Sequence, residues 1–388
     1  MRSLKDLDVK GRRVLVRLDL NVPLTEDGRV GDDTRIRAGI PTVRFVSERG
    51  GRVILLSHLG RPEGRPDPRL SLKPVAARLS EILGRPVPLA AGIVGDDVRQ
   101  AIDGMGDGDF LLLENLRFHP GEKAGADDFI EELSSLGDLY INDAFGTCHR
   151  SDASVAGLPR KLPSAAGLLV EKELSTLDRL LRDPSRPFVG VLGGAKITDK
   201  LPVVRNLLPI SDRLLIGGGM AYTFLLARGD SIGASLADRE LLDLARSLLK
   251  DGGDKILLPQ DHLVLTKDGE VKSVEEVPEG AKAYDIGPGT REAFAEALGS
   301  ARTVVWNGPM GVFETEPFDQ GTRAVADVIA GLDGALSVVG GGETIAAISG
   351  MGREKSFTHV STGGGAFIEY VSGKTLPGVQ ALESGPKD

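Results

Sequence analysis

The sequence predicts an α/β protein of two domains, each built on a parallel β-sheet that helices cover on both faces. Short apolar runs alternate with amphipathic helical patterns along the chain, as they do where helical crossovers join parallel strands. Most of these runs are four to seven residues long and almost free of polar residues, as expected of strands that are buried on both faces. The length of 388 residues corresponds to two or three domains, at about 100–200 residues per domain.

The predicted strands and helices follow one another in regular order. Three clear helical patterns lie at Lys73–Leu83, Asp238–Lys250 and Gln320–Ala330. Nine apolar segments are predicted to form strands, namely Val14–Leu20, Val53–Leu56, Phe110–Leu113, Leu139–Asn142, Phe188–Leu192, Leu214–Ile216, Thr303–Trp306, Leu336–Val339 and His359–Ser361.

Composition excludes several classes of protein. A formal net charge of −9 does not favour binding to nucleic acid or to anionic membranes through bulk charge. Cys148 is the single cysteine, so one chain holds neither a disulfide framework nor a multi-cysteine metal site. Residues Met1–Lys10 lack the apolar core of a signal peptide, and no stretch approaches the roughly 18 apolar residues of a membrane span. We therefore expect a soluble, cytoplasmic protein.

The residues that follow the predicted strands differ between the two halves of the chain. Before about residue 165 they are Arg, His, Asp and Asn, and after about residue 185 they are glycine clusters with lysines. Ligands of open α/β sheets bind outside the carboxyl ends of the strands, so each half has a candidate site. Between the halves, Gly167–Leu181 has the helix formers and charged face of a helical connector, which Asp183 and Pro184 end.

The first half suggests a site for a small anion. If Val14–Asn21 is a strand, then Arg17, Asp19 and Asn21 share one of its faces. Buried polar groups need partners, which could be a ligand or an internal Arg17–Asp19 pair. Further arginines follow near strand ends or helix starts, and arginine binds phosphate and carboxylate oxygens in pairs of hydrogen bonds; they are Arg35, Arg61, Arg117 and Arg150. His58 and His149 lie beside two of them, although a histidine taken alone is more often structural.

The second half suggests a nucleotide site that uses neither common glycine motif. The single GKT, at Gly373–Thr375, has Ile368 where a P-loop needs glycine, and no G-x-G-x-x-G is present. Glycine clusters followed by helical patterns recur instead, and such loops let backbone N–H groups approach phosphates; they lie at 193–200, 217–224, 340–344 and 361–366.

Three charged residues of these loops are candidates for nucleotide chemistry. Lys196 and Lys200 are expected on one face of a helix that begins after Gly194, where Lys196 could reach a transferring phosphoryl group or could simply be solvated. Glu343 either stabilises a helix N-terminus or binds Mg²⁺ together with phosphate oxygens and water.

Together these segments resemble the phosphoglycerate kinase family over nearly the whole chain. The resemblance is carried by VRLDLNVP (16–23), TRIRAGIPT (34–42), SHLGRP (57–62), LENLRFH (113–119), NDAFGTCHR (142–150), VEKEL (170–174), LGGAKITDK (192–200), GGGMAYTF (217–224), VWNGPMGVFE (305–314), VVGGGET (338–344) and HVSTGGGA (359–366). It implies a monomer of two Rossmann-like domains that face each other across a cleft. It also implies reversible transfer of a phosphoryl group from 1,3-bisphosphoglycerate to ADP, with Mg²⁺, giving 3-phosphoglycerate and ATP.

The resemblance also implies a division of the chain into domains. Residues 1–166, with the tail 376–388, would bind the triose phosphate, and residues 184–375 would bind the nucleotide. The interdomain helix 167–183 would act as the hinge on which the cleft closes.

The same resemblance assigns roles to individual residues. Arg35 and Lys196 would stabilise the transferring phosphoryl group, and Glu343 would bind the metal. The triose would be held by Asp19, Leu20, Asn21, Arg35, His58, Leu59, Gly60, Arg61, Arg117 and Arg150. The nucleotide would be held by Gly193, Gly194, Lys200, Gly217, Gly218, Asn307, Glu314, Gly340, Gly341, Gly342, Glu343 and Thr344, with Glu314 at the ribose.

Three positions depart from the family pattern. Glu343 stands where aspartate is common, and Asp152 stands where many members have histidine, which puts direct contact between that position and the triose in doubt. Cys148 stands where a small residue is common, and it is either a buried apolar residue or a thiol acidified by the nearby His149 and Arg150. A catalytically silent nucleotide-binding scaffold and a kinase for another carboxylate are the alternative functions.

Overall fold

The computed structural model describes residues 1–195, 197–198 and 200–386. The chain divides into two compact units, Met1–Ser175 with Thr375–Asp388, and Thr176–Lys374. Each unit contains a parallel sheet flanked by helices, which confirms the predicted α/β class. Among the described residues, the helices are all too short or too polar to cross a membrane.

The sheet of the first unit has five parallel strands in the order β3-β2-β1-β4-β5. The strands are β1 (Arg13–Leu18), β2 (Arg52–Leu56), β3 (Phe110–Leu112), β4 (Leu139–Asp143) and β5 (Ser164–Ala166). The central strand β1 pairs on one side with β2 and on the other with β4, with Arg17 opposite Leu56 and Asn142. The carboxyl ends of these three strands therefore lie side by side, and so do the loops that follow them.

Helices follow the strands of this sheet, and most of them bury one apolar face, although the shortest buries Gly121 and Glu122 instead. They are α1 (Thr34–Glu48), α2 (Lys73–Leu83), α3 (Asp96–Asp103), α4 (Pro120–Ala124), α5 (Asp127–Ser134) and α6 (Leu168–Arg182), the last of which contains the boundary between the two units. In α1, Ile36, Ile40 and Val43 recur at helical spacing and pack into the same apolar cluster as β1 and β2.

The second unit contains a six-stranded parallel sheet in the order β14-β13-β12-β6-β7-β8 and an antiparallel sheet in the order β10-β9-β11. Its strands are β6 (Phe188–Leu192), β7 (Arg213–Ile216), β8 (Ile256–Leu257), β9 (His262–Leu265), β10 (Val271–Val274), β11 (Lys282–Ile286), β12 (Thr303–Asn307), β13 (Leu336–Val339) and β14 (His359–Val360). Its helices are α7 (Leu201–Leu207), α8 (Ala221–Arg228), α9 (Leu242–Gly252), α10 (Pro288–Gly299), α11 (Gln320–Ala330), α12 (Gly342–Gly350) and α13 (Gly365–Val371).

Trp306 anchors the core of the second unit directly below the carboxyl edge of β12. Its side chain is fully buried and packs at a tilt against Phe357, with 6.1 Å between the ring centroids. Its indole N–H donates to the carbonyl oxygen of Gly308 at 2.9 Å. Truncating a buried tryptophan to alanine costs about 3–5 kcal/mol, so the start of the loop after β12 is fixed by the core itself.

After the second unit the chain returns to the first, where it ends in the helix α14 (Pro377–Ser384). The N–H of Gly378 donates to the carbonyl oxygen of Cys148 at 2.9 Å. A side chain at Gly378 would meet Val155 at 2.8 Å and the backbone of Cys148 at 3.1 Å, so glycine is required for α14 to approach this closely.

The strands that the sequence did not predict are short or polar. Strand β5 consists of serine and alanines, β8 has two residues, and β9, β10 and β11 mix polar with apolar residues. Helix α9 begins at Leu242 instead of Asp238 because the Asp238 side chain caps a preceding 3₁₀ turn, Arg239–Leu241, by accepting the N–H of Glu240.

Candidate functional site

Arg17 is the buried centre of the candidate anion site in the first unit. Its side chain is fully buried, and its Nε donates to Ser154 Oγ at 2.9 Å. One terminal nitrogen donates to the carbonyl oxygen of Leu18, and the other lies 3.0 Å from His58 Nδ1. The expected strand continues only to Leu18, so the alternation does not extend to Asp19. The partners of Arg17 are Ser154, Leu18 and His58, so the alternative of an internal Arg17–Asp19 pair is wrong.

Asp19 pairs instead with Arg35, in the first turn of α1. Arg35 Nη1 lies 3.2 Å from Asp19 Oδ2 and 3.2 Å from the carbonyl oxygen of Asn21. The Asn21 side chain in turn accepts the N–H of Gly60 at 2.9 Å, and the N–H of Leu20 donates to Ser57 Oγ at 2.9 Å. The loops after β1 and β2 are thus fastened together. The Arg35 side chain remains 41% exposed, so it is free to reach a ligand.

Arg117 joins this group through Gly60. Arg117 Nη1 donates to the carbonyl oxygen of Gly60 at 2.8 Å, while its buried Nε has no hydrogen-bond partner among the described residues. Gly60 has a φ of 61°, and a Cβ there would lie 2.7 Å from Leu70 Cδ2. Asn115 holds both segments by accepting the N–H groups of Leu59 at 3.2 Å and Arg117 at 3.1 Å.

His58 and Arg150 complete the group. The His58 ring is buried, and its Nε2 lies 3.5 Å from Arg150 Nη1. Burial lowers the pKa of His58 well below its usual value, and the nearby Arg17, Arg117, Arg150 and Arg35 lower it further. His58 is therefore neutral at physiological pH. Arg61 follows Gly60 and is exposed to solvent.

The first unit therefore concentrates positive charge at the carboxyl edge of its sheet. Burial lowers the pKa of Arg117, and repulsion from Arg150 lowers it further. An arginine whose protonated form is disfavoured by its neighbours is stabilised when an anion approaches. The arrangement suits a small ligand with phosphate or carboxylate groups, which can accept several charge-assisted hydrogen bonds.

The structure resolves two of the departures from the family pattern. Asp152 is buried and lies 4.0 Å from Arg150 Nη1, so it partners an arginine of the group. Cys148 is completely buried, and this burial raises the pKa of its thiol to about 12 despite the attraction of Arg17. The interpretation of Cys148 as an acidified thiol is therefore wrong, and the buried apolar one holds.

In the second unit, a cavity of about 290 Å³ opens at the carboxyl edge of the six-stranded sheet. Four of the predicted nucleotide residues line it: Gly194, Gly218, Glu314 and Glu343. Much of the remaining wall is apolar or aromatic and includes Tyr222, Leu236, Met310, Val312 and Phe313. An enclosed apolar wall facing glycine loops suits a flat base attached to a phosphorylated sugar.

The glycine loops after β6, β7 and β12 are hydrogen-bonded to one another. Gly194 N–H donates to Pro309 O at 2.8 Å, and Gly218 N–H donates to Met310 O at 2.9 Å. Gly218 has a φ of 63°, and a Cβ there would lie 2.6 Å from the nitrogen of Gly194. Gly193 and Gly217 likewise have no room for a side chain, because Pro309 and Met310 fill the space.

Asn307 and Thr344 fix the loop that precedes α12. Asn307 Nδ2 donates to Gly340 O at 2.6 Å, and Gly308 N–H donates to Thr344 Oγ1 at 2.6 Å. Gly341, with a φ of 96°, passes so near that a Cβ would lie 2.4 Å from Asn307 Nδ2. These contacts leave Gly342 and Glu343 exposed at the N-terminus of the nine-residue helix α12.

The two predicted lysines have different outcomes. Lys196 lies outside the described residues. Helix α7 begins only at Leu201, and Lys200 is its N-cap, so the prediction that Lys200 lies within a helix starting after the glycines is wrong. The residues after Ala195 that are described form turns, which delay the helix.

Three described carboxylates line the cavity, namely Asp285, Glu314 and Glu343, and Glu343 lies at the N-terminus of α12. The described residues contain no group of three or more His, Cys, Asp or Glu side chains arranged to hold a metal. Glu343 lines the cavity, and its Oε2 is 3.5 Å from where a Cβ on Gly194 would lie. Asp285, another carboxylate of the cavity wall, accepts the N–H groups of Gly321 at 2.7 Å and Ile286 at 2.9 Å, and burial raises its pKa to about 7.

Sequence reasoning missed several residues that hold the site. Asn115 lies two residues after the end of a predicted strand, Phe110–Leu113, so its position was a signal. Glu122, Ser154 and Asp285 lie in no glycine loop and follow no predicted strand, and their contacts connect residues distant in sequence.

Comparison with known proteins agrees with this architecture. The family model described as phosphoglycerate kinase matches residues 4–374. The chain is 52% identical over 400 residues to a phosphoglycerate kinase of Frankia alni, covering 99% of this chain and 100% of the relative. It is 50% identical over 386 residues to one of Rubrobacter xylanophilus, covering 98% of both.

Solved structures are also similar. The phosphoglycerate kinase of Coxiella burnetii matches with a TM-score of 0.89 and 39% identity, covering 98% of both chains. That of Pyrococcus horikoshii matches with a TM-score of 0.85 and 35% identity, covering 99% of this chain and 98% of the other. On all these grounds, the chain belongs to the phosphoglycerate kinase family.

Proposed function

We propose that this kinase transfers a phosphoryl group reversibly between 1,3-bisphosphoglycerate and ADP, giving 3-phosphoglycerate and ATP, with Mg²⁺. The observation that carries the proposal is the convergence of Arg35, Arg117 and Arg150 with a neutral His58 at one sheet edge. 3-Phosphoglycerate has a phosphate and a carboxylate, and such a set of donors suits both ends of it.

The triose would be held in the first unit. Arg35 would reach it from α1, while Asp19 and Asn21 would orient both Arg35 and the loop at Gly60. Arg117 and Arg150 would bind an anionic end, and the ligand would relieve their mutual repulsion. We propose the domain assignment in the same terms: residues 1–166 with 376–388 for the triose, residues 184–375 for the nucleotide, and residues 167–183 as the hinge between them.

The nucleotide would be held in the second unit. The apolar wall, including Leu236 and Val312, would contact the base, and Glu314 would accept hydrogen bonds from the ribose hydroxyls. The backbone N–H groups of the glycine loops and the N-terminus of α12 would face the phosphates.

Glu343 is the residue that would hold Mg²⁺. A single carboxylate suits this ion when nucleotide phosphates and water supply the other ligands. Glu343 meets this requirement because it is exposed and lines the cavity beside Gly194. When bound, the ion would neutralise charge on the phosphate oxygens.

The reaction explains why the site is rich in cations and glycines. The attacking group is a carboxylate or a nucleotide phosphate, which is already ionised at neutral pH, so no general base is needed. Catalysis then consists of positioning the substrates and stabilising charge on the transferring group. Arg35 and Lys196 would supply that stabilisation. Family membership further supports a cytoplasmic monomer without nucleic-acid or membrane partners.

The test is an assay of ATP-dependent phosphorylation of 3-phosphoglycerate with Mg²⁺, coupled to reductive consumption of the acyl phosphate. Arg35→Ala should lower kcat by about 10²–10³, as expected for losing one preorganised donor. Arg37→Ala is the matched control, because Arg37 lies on the same helix, is 57% exposed and pairs only with Asp33 among the described residues. Wild-type turnover in the Arg35 variant would overturn the assignment of that role.

Two further arms separate the alternatives. Acetate in place of 3-phosphoglycerate should give no turnover, whereas turnover would indicate a kinase for other carboxylates. Nucleotide binding without turnover on either acceptor would indicate a silent scaffold. X-ray scattering should show compaction only when both substrates are bound, and unchanged scattering would contradict the proposed hinge.

A further inference from the structure

Behind His58 lies a buried polar chain that has no place in the proposed set of ligands. It begins at Glu122 in α4 and passes through Ser154 to Arg17, and all three side chains are fully buried. Ser154 Oγ lies 2.5 Å from Glu122 Oε1 and 2.9 Å from Arg17 Nε. The backbone N–H of Ser154 donates to Glu122 Oε2 at 3.0 Å, and Tyr140 Oη donates to the carbonyl oxygen of Ser154 at 2.6 Å.

Arginine chemistry determines the direction of the hydrogen bonds that Arg17 makes in this chain. Arginine has only donors, so Ser154 Oγ accepts from Arg17 Nε. The one hydroxyl proton of Ser154 is then free to go to Glu122 Oε1. When Glu122 is ionised, both of its oxygens accept hydrogen bonds, one from the hydroxyl and one from the backbone of Ser154.

The same reasoning fixes the proton on His58. Arg17 Nη2 lies 3.0 Å from His58 Nδ1 and can only donate to it, so Nδ1 carries a lone pair and no proton. A neutral imidazole has its one proton on the other nitrogen. His58 Nε2 therefore bears the hydrogen, and it faces Arg150 Nη1 at 3.5 Å, so two donor groups converge there.

We propose that Glu122 and Ser154 are positioning residues, which hold Arg17 so that it keeps His58 in the Nε2–H form as a neutral hydrogen-bond donor to the anionic substrate. This inference rests on the proposed triose site. An oxygen of the substrate beside Nε2 would accept from both His58 and Arg150. In the opposite tautomer, Nε2 would present a lone pair to that oxygen and repel it.

The surroundings of His58 support a neutral donor over a cationic one. The charged groups that face the ring are Arg17, Arg117, Arg150 and Arg35, and all of them oppose a second proton on it. Binding of the anion is then independent of His58 titration over the physiological range. A purely structural role for Glu122, as a buried counter-ion to Arg17, would affect stability without determining the tautomer.

The test is nitrogen NMR of the ¹⁵N-histidine-labelled full chain, together with steady-state kinetics. Five histidines are present, and His58→Gln identifies the resonances of His58. In the wild type, His58 should show a protonated Nε2 and a bare Nδ1. Ser154→Ala should mix the tautomers and raise KM for 3-phosphoglycerate about tenfold, the loss expected for a hydrogen bond to a charged group, with KM for ATP unchanged.

Two variants serve as controls. Ser154→Thr retains the hydroxyl and should restore both the tautomer and KM. Ser47→Ala removes another buried hydroxyl of the first unit, one that donates to Gly108 O at 2.9 Å, and should change neither. If Ser154→Ala does not fold, Glu122→Gln serves as the second variant, because it replaces one of the two oxygens that accept from Ser154 with an NH₂ group that can only donate.

The proposal is overturned if wild-type His58 carries its proton on Nδ1 or on both nitrogens. It is also overturned if the folded Ser154→Ala or Glu122→Gln variant keeps both the wild-type tautomer and KM. The NMR measurement does not depend on turnover. Failure to phosphorylate 3-phosphoglycerate would therefore refute the proposed function, and the NMR spectra would still show which nitrogen of His58 carries the proton.

Discussion

The carboxylate of Asp143 accepts hydrogen bonds from the backbone N–H groups of Leu169 at 2.8 Å and Val170 at 3.2 Å, in the first turn of α6. Thr42 Oγ1 accepts the N–H of Leu168 at 2.9 Å. Two side chains from elsewhere in the first unit thus pair three N–H groups that a helix start leaves without partners. Asp143 is almost completely buried, and burial raises its pKa to about 6 despite these hydrogen bonds.

Asp143→Asn should therefore change how stability depends on pH. A carboxyl group with a pKa of about 6 in the folded state and about 3.9 in the unfolded state binds its proton more tightly when folded. Its contribution to the free energy of unfolding is greatest below about pH 4, falls as the pH rises to 6, and then stays constant, for a loss of about 3 kcal/mol. Denaturant unfolding of the wild type and Asp143→Asn should be measured at several pH values between 4 and 7. The difference between their free energies of unfolding should change over this range by about 3 kcal/mol. Parallel curves would show that Asp143 does not titrate in this range.

Gly218→Ala should weaken nucleotide binding by more than its backbone conformation alone explains. Gly218 has a φ of 63°, and a Cβ would approach the Gly194 nitrogen to 2.6 Å and Pro309 O to 2.8 Å. Gly229→Ala is the matched control, because Gly229 has a φ of 106° and nothing within 4 Å of a Cβ. Both variants bear the strain of a left-handed alanine, about 1–2 kcal/mol, but only Gly218→Ala separates the loops. Calorimetric titration with ADP should show at least a tenfold larger Kd for Gly218→Ala, and equal affinities would contradict this.

Arg117→Gln should abolish the stabilisation that 3-phosphoglycerate gives to the folded protein. A ligand at 100 times its Kd stabilises the state it binds by about 2.7 kcal/mol, and the buried Arg117 loses unfavourable charge repulsion when an anion binds. Thermal unfolding with and without the ligand measures the difference. Arg99→Gln removes an exposed arginine that pairs with Asp96 in the same unit. This control variant should keep the full stabilisation by 3-phosphoglycerate. A wild-type response from Arg117→Gln would exclude this residue from the site.

Cys148 should not react with thiol reagents while the protein is folded. Its thiol is buried and its pKa is raised to about 12, so the reactive thiolate is scarce at neutral pH. Iodoacetamide should label the native protein only at the rate of unfolding and should label it quickly in denaturant. Rapid labelling without denaturant would mean that the segment behind Arg150 opens readily.

The sequence identified the parts of the fold that local pattern controls. Helices α2 and α11 and strands β6 and β13 have the predicted bounds, because their apolar periodicity is regular and their ends have clear signals. The prediction was wrong where tertiary contacts end an element early. Strand β1 ends at Leu18 because Asp19 turns to Arg35, and α7 starts at Leu201 after a series of turns.

Residues that position other side chains were harder to identify from the sequence than the arginines and glycines of the candidate sites. Arginines and glycines after strands are visible as motifs. Glu122, by contrast, meets Ser154 across 32 positions of sequence and Ser154 meets Arg17 across 137, and contacts at such separations leave no local pattern. The arginines and glycines that gather at the sheet edges could therefore be identified from the sequence, whereas the buried network behind them could not.

The packing of α14 against Cys148 and Val155 has a consequence for the order in which the protein forms. A growing chain emerges from the ribosome amino end first, so β1 to β5 are available long before Thr375 is synthesised. Helix α14 belongs to the first unit but follows the whole of the second. The segment that carries Arg150 and Ser154 thus waits for its last packing partner until residues 176–374 have been translated. The early unit must persist in an unfinished form during that interval, and the segment that carries Arg150 is completed last.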